Sequence, residues 1–546
     1  MTSGVEWVGL ALSLAKGVEQ LSSFLVASYH DVKNYGIDLE TTRLALTLEA
    51  ENFSAIKSIL FGRQVGNAIS SGVFGDFDTD TQLAIVNVLR RFKESLEYQY
   101  QLVNGKYETE APGFGSMTDP AIPFGSYHSA SLFRRLRWSF KDKPRLEKIV
   151  QELQSWNERL QRILQVKLIQ GDYAAPNASR GRLSTALNKV LGAGLIGSAQ
   201  SLGLSDDIEL ARITTAPTAA VEKPSDKPLE IESFAAYENA SAIVQSRTRR
   251  LIRIRGQNIL LEYKDFEADE AGNPPAQSRD KIHQLSKILH HNKPSRYRTL
   301  QCQGYYAHNG RFTMLFPVPS DLNPRYTTLG WLLQNSKVPG LEGRFALARK
   351  LCAAVAQLHA VHWVHKSFNS ENILFFSRGL QPASAESIEN LYLSGWDYSR
   401  SETGLSSQCI DAQDIEYNVY RHPEQWGHPT TRFNRTHDMY SLGVVLLEIG
   451  RWKPALSFHS SKFRHIEIGS AVRSHLIGCA KDQKLRSSMG KRYQAIVLRC
   501  LEGNFGDNTA ILRPVANSNT TSLADSTSIT LHNEILETLD EIVCHL

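Results

Sequence analysis

The stretch His365-Lys366-Ser367-Phe368-Asn369-Ser370-Glu371-Asn372, followed by the apolar run ILFF, decides the fold prediction. Before it stands LCAAVAQLH, residues 351–359, whose apolar spacing is typical of a buried helix. The predicted order is therefore a helix, a polar loop and a short buried strand. Within the loop, Ser367 and Asn372 stand five residues apart. A serine hydroxyl is no base near neutral pH, so the loop is expected to lack a general base at position 367.

This loop resembles the catalytic loop of protein kinases, H-R-D-x-x-x-x-N, in which the Asp accepts the proton of the substrate hydroxyl and the Asn holds magnesium. His365 and Asn372 match the pattern, and Ser367 stands where the Asp belongs. Losing a positioned base typically lowers a rate about 100- to 10,000-fold. The resemblance therefore implies a pseudokinase with a degenerate loop and no catalytic residue, and the interpretation leans against an enzyme.

The metal-binding and phosphate-binding positions of the kinase family are also altered. In LSGWDYSR, residues 393–400, which resembles the DFG segment, Gly395 takes the place of the magnesium-binding Asp, and an alternative register would make Asp397 the metal ligand. Gly256 is the one glycine between residues 240 and 258, where a phosphate-covering loop needs several. Lys264 is the candidate for the phosphate-contacting lysine, and a solvated lysine at a strand end is its alternative. No cofactor is required by this interpretation, and ATP binding stays open.

Structural positions of the kinase framework are retained. YRHPE, residues 420–424, resembles the APE region, and HDMYSLGV, residues 437–444, resembles the buried helix whose aspartate, here Asp438, caps the catalytic loop. The resemblance further implies that Glu424 pairs with Arg513. Short β-rich runs precede a helical half, an order that suits a two-lobed kinase fold. Residues 233–546 are therefore predicted to form an α+β kinase-like domain.

The preceding part of the chain has a different character. Proline recurs in TTAPTAAVEKPSDKPLE, residues 214–230, which is linker chemistry, and the linker is placed at 201–232. Before it, apolar residues recur at three- and four-residue steps, first from Val8 to Leu25. Further helices are predicted at about 37–62, 79–104 and 145–166. Residues 1–200 are therefore predicted to form an all-α bundle, which makes the chain a multidomain protein.

This bundle resembles a HeLo domain, the helical module of fungal heterokaryon-incompatibility prion proteins. The resemblance rests on three segments, residues 5–56, 78–107 and 131–160, which open with VEWVGLALSL, DTDTQLAIVN and SLFRRLRWSF. It implies a first helix that is released and inserts into a membrane. For the resting protein, an ordinary buried helix is the favoured interpretation.

Two groups of residues are candidates for membrane contact. The start of the first helix is apolar nearly all round, whereas Lys16 and Glu19 oppose deep insertion, each by about 2–3 kcal/mol at a bilayer centre. Residues 134–148 hold seven basic and two acidic residues, a charge suited to anionic headgroups, although most basic runs are solvated helix faces. The candidates are Val8, Leu10, Leu12, Leu14, Arg134, Arg135 and Arg137.

Composition limits the remaining choices. A net charge of +5 over 546 residues does not suggest a nucleic-acid partner. The six cysteines show no paired spacing and no CxxC, which favours a reducing compartment. The N-terminus fits a secretory signal poorly, so a cytoplasmic protein is expected, one that associates with membranes on activation. Protein partners, self-association and anionic lipids are the expected contacts.

Together the two resemblances imply a fungal HeLo–pseudokinase protein. Its degenerate kinase domain would sense a signal and couple it to membrane association or self-assembly of the bundle, in programmed cell death of the incompatibility type. Two alternatives stay open. One is an active atypical Ser/Thr kinase that binds ATP, and the other is a non-catalytic scaffold or adaptor.

Overall fold

The computed structural model covers most of the chain. The described residues are 4–30, 37–62, 64–65, 68–69, 72–104, 143–174, 186–192, 194–215, 229–269, 272–378, 390–396, 400–401, 415–426, 429, 431–458, 469–503 and 521–544. They fall into two compact units, Met1–Ser205 and Asp206–Leu546. The first unit is mainly helical and the second contains antiparallel sheets. At this level the predicted order, an all-α region followed by an α+β region, is confirmed.

Four long helices dominate the described part of the first unit: α1 Gly4–His30, α2 Ile37–Phe61, α3 Thr79–Asn104 and α4 Lys143–Ala174. The unit also contains the short helix α5 Ile196–Ser201 and a small hairpin of β1 Gln64–Val65 and β2 Ala68–Ile69. The helices predicted at 37–62, 79–104 and 145–166 are confirmed, and the last of them extends farther at both ends. The apolar periodicity located these helices because each buries one stripe.

Helix α1 lies in the core of the first unit. Ala11, Ala15 and Val18 are fully buried and belong to one apolar cluster with residues of α2 and α3. Their spacing of three and four residues places them on one helix face. An ion pair between Glu19 and Lys57 joins α1 to α2. Helix α1 therefore packs in the core of the first unit, in agreement with the interpretation of an ordinary buried helix.

The segment predicted as a linker contains a helix, α6 Leu204–Thr215. Asp207 of this helix is fully buried, forms an ion pair with Arg296 and accepts a hydrogen bond from the Tyr297 hydroxyl at 2.9 Å. The Thr214 hydroxyl donates to the carbonyl of Val361 at 2.6 Å. Residues 206–215 are therefore anchored within the second unit by tertiary contacts, which the composition of the predicted linker did not indicate.

A five-stranded antiparallel sheet occupies the start of the second unit. Its strands are β3 Ala242–Gln245, β4 Arg249–Ile254, β5 Gln257–Asp265, β6 Gly304–His308 and β7 Arg311–Pro317, in the order β3-β4-β5-β7-β6. The short helix α7 Ala235–Asn239 precedes β3, and helix α8 Ala276–His290 stands between β5 and β6 in the chain. Strand β5 is buried from Asn258 to Glu262, so a charged side chain lies inside an otherwise apolar run.

The rest of the second unit is mostly helical. Its helices are α9 Leu329–Asn335, α10 Leu341–Ala360, α11 Ile415–Asn418, α12 Arg435–Arg451, α13 Gly469–Lys481, α14 Gln483–Glu502 and α15 Thr521–Cys544. Short strands form two further antiparallel sheets: β8 Tyr326–Thr328 with β10 Ile373–Phe376 and β11 Leu391–Leu393, and β9 Trp363–Val364 with β12 Arg400–Ser401. Helix α12 is buried at every position from His437 to Gly450, which makes it a rigid support for the loop described next.

Candidate functional site

Asp438, in the first turn of α12, binds the backbone of the loop between β9 and β10. One carboxylate oxygen of Asp438 accepts the N–H of His365 at 2.7 Å, and the other accepts the N–H of Lys366 at 2.9 Å. This is the capping contact expected for Asp438. Lys366 has a φ of 65°, a left-handed conformation that disfavours most residues. The two hydrogen bonds therefore fix the loop in a conformation that it would not adopt alone.

His365 is a core residue of this loop. Its ring is buried, 4.4 Å from the ring of Trp396 between centroids, and its Nδ1 accepts the N–H of Ser367 at 3.3 Å. Burial lowers the pKa of His365 to about 4, although Asp438 acts in the opposite direction. The imidazole is therefore neutral at physiological pH and serves as packing.

Ser367 is equally confined. Its hydroxyl lies 2.6 Å from the Tyr417 hydroxyl, and the amide nitrogen of Asn372 donates to Ser367 Oγ at 3.0 Å and to Ser367 O at 2.7 Å. Ser367 is 4% exposed, so a substrate hydroxyl has no open path to it. A general base within hydrogen-bond reach of a substrate is therefore missing at this position.

A guanidinium group occupies the other side of Asn372. Arg249, the first residue of β4, hydrogen bonds to the amide oxygen of Asn372 and donates to the carbonyl of Glu371 at 2.9 Å. The amide oxygen of Asn372 is the atom that a metal ion would need, since amide nitrogens do not ligate hard cations. Arg249 is 5% exposed, and its fixed positive charge stands at the place where a cation would bind.

Glu262 of β5 is the ion-pair partner of Arg249 and also bonds the Gly395 segment. Its carboxylate accepts the N–H of Gly395 at 3.1 Å and the N–H of Trp396 at 3.3 Å, and it lies 3.8 Å from Arg249 Nε. Burial raises the pKa of Glu262, while Arg249 and the two backbone N–H groups act to lower it. The buried pair thus ties the five-stranded sheet to both the 365–372 loop and the Gly395 segment.

Gly395 has no room for a side chain. Its φ is +80°, and a Cβ atom placed there would lie 2.2 Å from the amide nitrogen of Asn372. Such a distance is far inside van der Waals contact, so an aspartate at position 395 would require the loop to move. The site as built therefore offers neither a carboxylate at 395 nor a vacant amide oxygen at 372 for magnesium.

Lys264 lies on β5 two residues beyond Glu262 and is half-buried. From the same strand, the carboxylate of Glu262 accepts hydrogen bonds from the Gly395 segment. The phosphate-contacting role of Lys264 stays a prediction. Asp397, the alternative metal ligand, lies outside the described residues, and so does Arg513, the predicted partner of Glu424.

Glu424 contacts two histidines, and the three side chains bring ligand-type atoms within 4.8 Å of one another. Nδ1 of His437 accepts the N–H of Asn434 at 3.0 Å, so the ring proton is on Nε2, which donates to Glu424 at 3.2 Å. A protonated Nε2 cannot bind a cation. The hydrogen bond from His437 is the main cause that lowers the pKa of Glu424 to about 2. His437 thus caps helix α12 together with Asn434, and Glu424 orients the His437 ring.

The apolar candidates for membrane contact lie on α1. Leu10 is 39% exposed, whereas Val8, Leu12 and Leu14 are half-buried. Among the described helices, α1 is long and apolar enough over Trp7–Ala27 to cross a membrane, and a third of its most apolar window is buried. The core helix of a soluble protein or a signal sequence can have the same length and composition. Arg134, Arg135 and Arg137 lie outside the described residues.

The sequence analysis missed Arg249 and Glu262, although a signal was present. The two residues are register partners across the β4–β5 hairpin, whose turn is Arg255-Gly256. Counting outward from that turn places the basic Arg249 opposite the acidic Glu262, next to the apolar runs Leu251-Ile252 and Ile259-Leu260-Leu261. A buried charge opposite a buried charge predicts an internal ion pair.

A scan against models of protein families finds no match to this chain, and a search of curated proteins finds no match either. The function proposed below therefore rests on the residues and their geometry.

Proposed function

We propose that this chain is a fungal, cytoplasmic HeLo–pseudokinase protein, in which a catalytically defective kinase-like domain controls a membrane-active helical bundle. The observation that carries the proposal is the ion pair of Arg249 and Glu262, in which Arg249 bonds the 365–372 loop and Glu262 bonds the Gly395 segment. The Arg249 guanidinium bonds the amide oxygen of Asn372 and pairs with the carboxylate of Glu262, so among the described residues of this site neither oxygen group is left open for magnesium. A domain with this site is suited to holding a conformation rather than to phosphoryl transfer.

The kinase-like assignment draws support from topology. A five-stranded antiparallel sheet with one helix between its third and fourth strands along the chain precedes a helical half, and Asp438 caps the loop. This order resembles the two lobes of a protein kinase. Fold alone does not establish function, so the proposal depends on the altered site.

In this proposal α1 is the segment that leaves the bundle and inserts into the membrane. In the resting bundle Ala11, Ala15 and Val18 are buried and Glu19 is paired with Lys57, so release of α1 must break both the packing and the ion pair. A change of state in the kinase-like domain, caused by a partner or a ligand, would shift the balance between packed and released α1. Anionic lipid and self-association then stabilise the released form.

Leakage of vesicles that contain anionic lipid tests this proposal. We expect the fragment 1–205 to release an entrapped dye and the full chain to release far less. The fragment ends at 205 because Ala199 and Leu202 belong to the buried core of the bundle. Leu10→Asp should suppress leakage, since a carboxylate at a bilayer centre costs about 3 kcal/mol on insertion scales. The matched control is Leu44→Asp on α2, which is 70% exposed and lies outside α1.

Two outcomes would contradict the proposal. If neither the fragment nor the full chain releases dye, the result favours the alternative of a non-catalytic scaffold or adaptor. Phosphotransfer by the full chain with magnesium and ATP would favour the atypical kinase, particularly if the activity vanished in Asp397→Ala and Lys264→Ala.

A further inference from the structure

A cavity of about 740 Å³ lies in the second unit, apart from the closed loop. Its walls come from the β4–β5 hairpin, the segment that links α8 to β6, the segment after β7, and Tyr392 of β11. None of Arg249, Glu262, Asn372 and Gly395 lines it. Its size is that of an ordinary small-molecule site, for which volumes of about 300–1,000 Å³ are typical.

The charged side chains that line this cavity are basic. Arg253, Lys293 and Arg298 line it together with His290, and among the described lining residues none is acidic. The nearby Asp321 acts on Tyr392 but is itself paired with Arg378 at 3.6 Å. A concave surface lined by basic groups concentrates the field and favours an anion.

Lys293 contributes charge rather than hydrogen bonds. Its ammonium donates to the carbonyls of Leu289 at 2.7 Å, His291 at 2.8 Å and Ile288 at 3.1 Å, which uses its three N–H groups. Burial lowers the pKa of Lys293 to about 7. A bound anion would offset that loss of hydration and favour the charged ammonium.

Neutral polar groups surround the cations. Gln257, Asn258, Gln301 and Gln303 line the cavity, and amides supply both donors and acceptors. Thr299, also in the lining, has a buried hydroxyl with no hydrogen-bond partner among the described residues. A buried polar atom without a partner is costly, typically by about 1–3 kcal/mol, and a ligand could supply the missing bond.

We propose that this cavity binds a small phosphate-bearing anion, up to the size of a nucleoside diphosphate. Arginine guanidinium groups match phosphate oxygens in a bidentate manner, and Arg253 and Arg298 supply two of them. The amides and the Tyr392 ring are suited to the polar, planar remainder of such a ligand. Binding here needs no magnesium, because the cations belong to the protein.

Calorimetric titration of the full chain with pyrophosphate and with ADP, at low ionic strength and in the presence of EDTA, tests this inference. We expect saturable binding of both probes, with ADP at least as tight as pyrophosphate. Arg298→Asn should weaken both by roughly tenfold or more, since a charge-assisted hydrogen bond contributes about 1.5–3 kcal/mol. Asn tolerates the left-handed backbone at 298, where φ is 53°, and the main-chain bond from Leu393 N to Arg298 O remains.

Arg253→Gln is a second variant, at an exposed position on β4 where loss of folding is not expected. The matched control is Arg325→Gln, an exposed arginine of the same unit outside the cavity, which should leave binding unchanged. Circular dichroism melts confirm that each variant is folded. Absence of saturable binding by both probes, or equal weakening by Arg325→Gln and Arg298→Asn, would overturn the inference.

Discussion

The Tyr420 hydroxyl donates a hydrogen bond to Glu448 Oε1 at 2.6 Å, deep beneath the 365–372 loop. The same oxygen accepts the N–H of Ala455 at 2.7 Å, and the Tyr420 hydroxyl also lies 2.8 Å from Ser370 Oγ. Both Tyr420 and Glu448 belong to the interior, Glu448 with no exposure at all. Burial raises the pKa of Glu448 to about 8, so this carboxyl is protonated at neutral pH.

Glu448 should make stability depend on pH. The unfolded carboxyl loses its proton near pH 4.5 and the folded one near pH 8, so the unfolded state binds fewer protons in between. Its contribution is therefore fully present below about pH 4.5 and is lost as the pH rises toward 8, by up to about 1.4 kcal/mol per pH unit. Glu448→Gln should flatten that slope in urea denaturation between pH 5 and pH 8. Glu416→Gln, at an exposed position, is the control, and an unchanged slope in Glu448→Gln would contradict the assignment.

Breaking the buried ion pair should be strongly destabilising. Arg249→Met leaves Glu262 buried without its cation, and loss of one member of such a pair typically lowers the free energy of unfolding by about 3–5 kcal/mol. The double variant Arg249→Met with Glu262→Leu should recover much of that loss, because no charge remains uncompensated. Chemical denaturation measures both.

The same substitution at a surface pair provides the control for this prediction. Arg378 and Asp321 are 3.6 Å apart with side chains 72% and 61% exposed. Arg378→Met should change the free energy of unfolding by no more than about 1 kcal/mol. Similar losses at 249 and 378 would show that the pair at the loop has no special structural role.

Position 395 should reject even one methyl group. Gly395→Ala combines a left-handed φ with a contact of 2.2 Å to Asn372, whereas Gly256→Ala has a similar φ of +82° and open space around its Cβ. We expect a loss of about 1–2 kcal/mol at 256 from backbone strain alone, and about 1–3 kcal/mol more at 395 from overpacking. Thermal melts of the two variants give the difference, and equal melting temperatures would contradict the steric argument.

Asp438 should be needed for the shape of the loop. Asp438→Ala leaves the N–H groups of His365 and Lys366 buried without an acceptor, for which about 1–3 kcal/mol each is typical. Asp438→Asn keeps one acceptor oxygen and should lose roughly half as much. Hydrogen exchange at residues 365–366 reports the effect directly, and unchanged protection in Asp438→Ala would exclude the capping role.

Helix positions were readable from sequence because apolar periodicity is a local property. The helices near 37–62 and 79–104 agree with α2 and α3 to within a residue or so, and a β-rich stretch before a helical half was also anticipated. The exception is α6, whose stability comes from contacts such as Asp207 with Arg296, which lie 89 residues apart in the chain and leave no local signature.

The site was predicted only in its outline. Comparison with the kinase motifs showed that Ser367 and Gly395 stand where the pattern has aspartates. The sequence alone was therefore enough to predict the loss of the base and of the metal ligand. The pairing of Arg249 with Asn372 joins residues 123 positions apart, and one-dimensional spacing carries no information about such a contact. Sequence could therefore indicate what the loop lacks, whereas the structure was needed to find what fills it.

The tight fit of Gly395 against Asn372 sets how many changes a carboxylate at position 395 would require. An aspartate there would meet the amide of Asn372, which Arg249 and Ser367 hold in place. One substitution is therefore not enough, because the Asn372 side chain must move before a side chain at 395 can fit. The route to a metal ligand at this position takes at least two coordinated changes.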